Sequence, residues 1–287
     1  RASRLPSALR APSSMPRAIA PLACRRSCRR LCCAVLRKTW WPTCPRRSKT
    51  PSWRSLTGEQ RKLYLANQDR IAQQVQHREA GEFKKDKLKV LAELTKLRQI
   101  CCDPRLHYED YKAGSAKLDT CMELVHGALD GGHRILLFSQ FTGMLDIIGK
   151  RLAKEDIAFL KLTGASSKES RAKMVAQFQA GEVPVFLISL KAGGVGLNLT
   201  AADVVIHYDP WWNVAAQDQA TDRAHRIGQQ HTVTVYKLIA KDTIEERIMQ
   251  MQESKRDLVN SVLGGDGISS ALFTREDVLA LLGGDGR

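Results

Sequence analysis

The chain has 287 residues, 43% hydrophobic and 26% charged, with a formal charge of +15. That length is enough for one or two domains with a sizeable core, and no apolar run approaches the roughly 20 residues that a membrane-spanning helix needs. The basicity is not spread evenly: residues 1–54 hold 12 Arg and 2 Lys with no acid, a net +14, so the other 233 residues carry only +1. This excludes a chain-wide basic coat, and nucleic-acid contacts beyond residue 54 must be local.

Residues 1–55 hold seven of the ten prolines and three of the five tryptophans, with no hydrophobic period. The segment reads as unstructured, and the start at Arg1 rather than Met reads as a fragment. Cys24, Cys28, Cys32, Cys33 and Cys44 lie here, but no C-x-x-C pair exists anywhere, so no metal site is expected. Cys101, Cys102 and Cys121 read as reduced core thiols.

Residues 56–114 read as a helical lead-in. Thr57 is the expected N-cap, with Gln60 completing a capping box. One helix is predicted to about residue 79 and a second from Phe83 to Cys102, with Leu88, Leu91, Leu94, Leu97 and Ile100 as its apolar stripe. Asp103-Pro104 stops it.

From residue 115 to 258 helices and strands alternate, which predicts α/β architecture with a parallel sheet flanked by helices. Helices are expected at Lys117–Leu129, Thr142–Lys154, Lys168–Gln179, Asn213–Ala224 and from Thr243 to about Leu258. Strands are expected at Ile135–Phe138, Ala158–Leu162, Val185–Ile188, Val204–Ile206 and Val233–Leu238. Residues 259–287 read as a flexible tail, hinged at Gly264-Gly265-Asp266-Gly267 and ending in a short capped helix, Thr274–Leu282.

Two stretches carry the chemistry. Val185–Ile188 runs into Ser189 and a loop containing Gly193, Gly194 and Gly196, where small residues let backbone approach phosphate or sugar closely. Arg223 and Arg226 are three apart, a spacing that on a helix aims both at one anion. Each feature alone has a bland reading, a turn and a solvated helix face. Together, Leu190-Lys191-Ala192-Gly193-Gly194-Val195-Gly196-Leu197-Asn198-Leu199-Thr200-Ala201-Ala202-Asp203 and Gln219-Ala220-Thr221-Asp222-Arg223-Ala224-His225-Arg226-Ile227-Gly228-Gln229 closely resemble the fifth and sixth helicase motifs of Swi/Snf-family DNA-dependent ATPases, in helicase superfamily two. Ser139-Gln140-Phe141-Thr142 resembles the fourth motif, and the likeness covers residues 56–287.

The resemblance implies a single RecA-like lobe, the family's C-terminal one. It implies that Arg226 and Arg223 reach the γ-phosphate of ATP, that Gln219, Gly193, Gly194 and Gly196 order the same site, and that Ser139, Gln140, Thr163, Gly164, Ser166 and Thr200 meet the backbone of double-stranded DNA. Trp211 and Trp212 are read as core in preference to a stacking platform, and His207 and His225 as structural. The sequence contains no G-x-x-x-x-G-K-[ST] phosphate loop and no D-E-x-[HD] run. ATP and magnesium would therefore be held mainly by a first lobe, the implied protein partner. The expected setting is the nucleoid if the source is bacterial and the nucleus if it is eukaryotic; the oligomeric state is open.

The resemblance also sharpens the reading of residues 1–55. The genetic code permits Leu31–Ser55, shifted by one frame, to read L-L-R-R-T-K-K-D-V-V-A-D-L-P-E-K-I-E-N-T-V-M-A-E, which is similar to what Swi/Snf proteins carry before this helical lead-in. Out-of-frame translation is thus the favoured reading, with a basic DNA-binding arm as the other. Two function classes stay open: half of a double-strand translocase, or a non-catalytic remnant of a frame-shifted gene. An RNA helicase fits the Gly-Gly-Val-Gly-Leu-Asn-Leu and Ala-His-Arg-Ile-Gly-Gln runs less well.

Overall fold

The computed structural model describes residues 47–56, 58–77, 80–193, 197–211, 214–224, 229, 232–261 and 275–283. Its strands are β1 (Arg47–Ser55), β2 (Ile135–Ser139), β3 (Phe159–Leu162), β4 (Val185–Ser189), β5 (Val204–His207) and β6 (Val233–Lys241). Its helices are α1 (Gly58–Gln76), α2 (Ala80–Cys102), α3 (Ala116–Asp130), α4 (Thr142–Lys154), α5 (Lys168–Ala180), α6 (Leu190–Gly193), α7 (Val214–Thr221), α8 (Ile244–Ser261) and α9 (Arg275–Leu282). A 3₁₀ turn, Pro104–Leu106, follows α2 with Asp103 as its N-cap.

The strands form one sheet in the order β1-β6-β5-β2-β4-β3, and every neighbouring pair is parallel. The alternation of helix and strand in the sequence forces this, because a parallel neighbour can be reached only by a crossover. All residues of β2, β4 and β5 are buried, as expected of strands covered on both faces. Ile135, Leu137, Val185 and Leu187 pack with α3 and α4 on one face. Leu136, Phe138, Phe186 and Ile188 pack with Phe178 of α5 and Ala220 of α7 on the other. Each such fully buried aliphatic or aromatic side chain contributes about 1.5–3 kcal/mol.

A further core joins α1, α2, α8 and α9 through Tyr64, Ile71, Leu94, Leu97, Ile248, Val278 and Leu281. Of the stripe read on α2, Leu94, Leu97 and Ile100 are buried and Leu91 is half-buried, but Leu88 is 80% exposed, and Val90 and Cys101 join the buried line instead. Strict i, i+3 spacing slips by about 60° per step on a helix of 3.6 residues per turn, so Leu88 cannot share a face with Ile100. The capping box at Gln60 is corrected too. Its Nε2 donates to the carbonyls of Ile100 and Cys101, at 3.0 and 3.3 Å, and so caps the end of α2. Thr57 lies outside the described residues.

β1 departs from the expectation that residues 1–55 are unstructured. It pairs with β6 over nine positions, from Arg47↔Val233 to Ser55↔Lys241. The open edge of β6 offers unpaired N–H and C=O groups that any extended backbone can satisfy. The side chains contribute little: none described on β1 is buried, and Trp53 is 43% exposed. Pro51 is tolerated because β1 is an edge strand.

Candidate functional site

The sheet order sets the ends of β5, β2 and β4 side by side. Ser139 pairs with Ser189, and Phe138 with both Ile188 and His207. In open α/β sheets this carboxyl edge is where ligands collect. The described segments that follow the strands, 139–141, 163–166, 190–193 and 208–211, all emerge there.

Asp209 is the hub of that edge. It is 1% exposed. Its carboxylate accepts the Ser139 hydroxyl at 2.6 Å and the Gln140 N–H at 3.1 and 3.2 Å. The Arg98 guanidinium of α2, wholly buried, lies 3.7 Å away and donates to the Pro210 carbonyl. Burial pushes the Asp209 carboxyl above its usual range, against the pull of Arg98 and Ser139. Gln252 of α8 donates to the Trp211 carbonyl. The turn that launches α7 is therefore fastened by side chains from two helices outside the sheet. The Ser139 hydroxyl also accepts the Phe141 N–H, 3.1 Å. Ser139 is thus committed inward, while Gln140 stands half-buried beside it.

The 163–166 turn is self-braced. Thr163 N–H donates to Ser166 Oγ and Ser166 N–H to the Thr163 carbonyl, both at 3.2 Å. Gly164 is exposed at its tip, between half-buried Thr163 and Ser166. After β4 the chain makes the short helix α6, ending at Gly193, where a plain loop was expected. Ser189 Oγ caps it by accepting Ala192 N–H, 3.3 Å. Gly194 and Gly196 lie outside the described residues.

α7 ends at Thr221, not Ala224, so Arg223 sits in the turn beyond it. It is 5% exposed, its N–H bonds the Ala220 carbonyl, and its carbonyl accepts Leu199 N–H at 3.1 Å. The solvated-face reading does not describe Arg223. Arg226, His225 and Trp212 lie outside the described residues, and Gln219 is exposed on α7. Trp211 packs against the core, and His207 stacks on Phe138 and bonds Thr221 Oγ1 at 2.8 Å.

Sequence reasoning assigned no role to Arg98, Asp209 or Gln229. Gln229 is 6% exposed, and its Nε2 donates to the carbonyls of Thr200 (3.0 Å), Ala202 (2.7 Å) and Ala224 (3.4 Å). It ties the loop after α6 to the turn that bears Arg223. The Asp-Pro following a buried strand was the available signal for Asp209; Gln229 offered only its place at the end of the sixth-motif likeness.

Residues 116–228 match the family described as helicase conserved C-terminal domain. The fold overlays the SWI2/SNF2 ATPase C-terminal domain of Sulfolobus solfataricus with a TM-score of 0.67 and 31% identity, over 82% of this chain and 97% of that one. The chain belongs to the SWI2/SNF2 ATPase family. The SWI2/SNF2 core of the same organism, solved in complex with dsDNA, gives a TM-score of 0.68 and 34% identity, over 82% of this lobe and 50% of that chain. An uncharacterized ATP-dependent helicase of Mycoplasma pneumoniae is 39% identical over 238 residues, 83% of this chain. This SWI2/SNF2 lobe spans 23% of the length of that relative and of its Mycoplasma genitalium counterpart.

Proposed function

We propose that the chain is the second lobe of a DNA-dependent ATPase that moves along double-stranded DNA, and that it hydrolyses no ATP without a first lobe. The observation supporting this is the carboxyl edge, where Asp209 fastens Ser139 and Gln140 and Gln229 fastens the Thr200–Ala202 loop to the turn that bears Arg223. Arg226, aided by Arg223, supplies positive charge to the γ-phosphate, worth about 10³–10⁵ in rate for such a group. Gln219 and the Gly193, Gly194 and Gly196 backbone shape the same pocket. Gln140, Thr163, Gly164, Ser166 and Thr200 offer hydroxyl, amide and main-chain groups to the DNA backbone, with Ser139 ordering Gln140 from beneath. Phosphate-loop and magnesium chemistry fall to the first lobe, because this sequence has neither motif. The intact protein works in the nucleoid of a bacterium or the nucleus of a eukaryote.

The test is turnover. The purified chain should show no DNA-stimulated ATP hydrolysis, and joining it to a compatible first lobe should produce it. Turnover on the order of 1 s⁻¹ from the chain alone, an ordinary enzyme rate, would overturn the assignment.

The second reading, a remnant of a frame-shifted gene, is favoured by β1. The one-frame shift places I-E-N-T-V-M-A-E on positions 47–54, with I, V and A on one face of the strand, where the present sequence buries nothing described. Residues 1–55 are then out-of-frame translation whose last nine residues join the sheet through backbone, with one exposed ion pair from Arg54 to Glu123 at 3.0 Å. Replacing positions 47–54 with that string should raise the melting temperature; no change or a drop would count against the frame shift.

A further inference from the structure

α3 and α4 run side by side on one face of the sheet, and the loop of residues 105–114 borders the space between them. The groove so formed has a volume of about 580 Å³, within the range of about 300–1,000 Å³ typical of sites that hold compact ligands. Its cations are Arg105, Lys112, Lys150, Arg151 and Lys154; its acids are Glu109 and Asp119. Because residues 55–287 carry a net charge of only +1, this excess is a local concentration and not a sample of a basic surface.

The five cations are not equivalent. Arg105 is held by the carboxylate of Asp103 at 2.9 and 2.6 Å, and Arg151 by Glu155 at 2.5 Å. Lys112, Lys150 and Lys154 are exposed and make no ion pair among the described residues. Lys150 and Lys154, four apart on α4, project from one helical face, with Lys112 on the loop that forms the opposite bank. Between them the floor is apolar, made by buried Leu118 and half-buried Ile147.

We propose that this groove docks a short acidic peptide segment of a partner protein. Three lysines without partners ask for anions, and the excess of positive charge repels a basic segment. The apolar floor asks for side chains such as leucine between those anions, and the two acids take the backbone N–H groups of the guest. A duplex presents phosphates on a convex surface and has nothing to set on Leu118 and Ile147, so a peptide suits the concave shape better. None of the carboxyl-edge residues assigned above lines the groove, so its lysines can be replaced without touching them.

The experiment uses the whole chain and a fluorescein-labelled probe peptide, E-E-L-E-E-L-E, with K-K-L-K-K-L-K and a short DNA duplex as comparators, read by fluorescence anisotropy. The acidic probe should bind saturably and weaken as salt is raised. The variant Lys112→Ala/Lys150→Ala/Lys154→Ala should melt at the same temperature as the parent, since alanine suits α4 and the lysines have no partners to lose among the described residues. It should bind the acidic probe at least tenfold more weakly. Lys168→Ala, outside the groove, should bind as the parent does. Failure of the parent to bind the acidic probe, equal binding by the triple variant, or a triple variant that loses duplex binding and keeps peptide binding would each overturn the proposal.

Discussion

Lys117 of α3 and Glu245 of α8 form an ion pair inside the protein, with side chains 3% and 0% exposed. The ammonium donates to both carboxylate oxygens, at 2.7 and 2.6 Å, and one of those oxygens also accepts Ala240 N–H at 2.9 Å. Burial works against the Lys117 charge, but Glu245 more than compensates and holds its pKa above the ordinary lysine range. Lys117→Met removes one partner and strands the other, which costs about 3–5 kcal/mol in buried pairs. Glu245 keeps the Ala240 donor, so the lower end, about 3 kcal/mol, is expected. With a urea slope of about 2–3 kcal/mol/M this moves the unfolding midpoint, read by circular dichroism, down by about 1–1.5 M. Lys117→Met/Glu245→Leu removes both charges and leaves Ala240 N–H and the weak Cys102 thiol donor unmatched, a cost of about 1–3 kcal/mol, so it should be more stable than the single variant at pH 7. A single variant within about 1 kcal/mol of the parent, or a double variant less stable than the single, would refute this account of the pair.

With a first lobe joined, Arg226→Ala should cut DNA-stimulated hydrolysis by about 10³ or more while ATP binding survives, and lysine there should rescue poorly because it lacks the planar fork; hydrolysis within a few-fold of the parent would refute the role. Arg223→Ala should lose both activity and stability because the side chain is buried, a drop visible in thermal melts. Burial pushes the thiols of Cys101, Cys102 and Cys121 up, the last to about 12, so iodoacetamide at pH 8 should label them only on unfolding, as mapped by peptide mass spectrometry. Since those folded-state values lie above the unfolded ones, their contribution is complete below about pH 8.5 and is lost as pH rises beyond it. Gly181 ends α5 with φ +82°, so Gly181→Ala should cost about 1 kcal/mol and lower the melting temperature by about 2–4 °C.

Strands β2, β4 and β5 were legible because a fully buried parallel strand is a short unbroken apolar run, as in Val185–Ile188. Helices α3, α4 and α5 were legible from their period and from stops such as Gly181. What escaped notice were the polar residues that act across the chain. Arg98 and Asp209 are 111 positions apart, and each alone reads as a surface charge; only folding makes them a buried pair. Gln60 failed as a local cap because the carbonyls it serves belong to residues 100 and 101. β1 was missed for a related reason: its pairing is backbone to backbone and leaves no apolar pattern in its own sequence. The likeness to helicase motifs named candidate segments, but whether a hydroxyl there turns inward, as in Ser139, depends on a residue about 70 positions away.

The register of β1 with β6 has a consequence for synthesis on the ribosome. Arg47 finds its partner in Val233, about 190 residues later, and at about 5–20 residues per second the wait is roughly 10–40 s. The helices α1 and α2 wait longer, since their core closes only when α8 and α9 have emerged. Through that interval the apolar face that α1 and α2 offer to α8 and α9 stays uncovered, while strands β2 to β5 can already assemble. The nascent chain is therefore an open half with an apolar flap, and chaperone capture during translation should fall on residues 58–102, ending abruptly once residue 282 clears the exit tunnel.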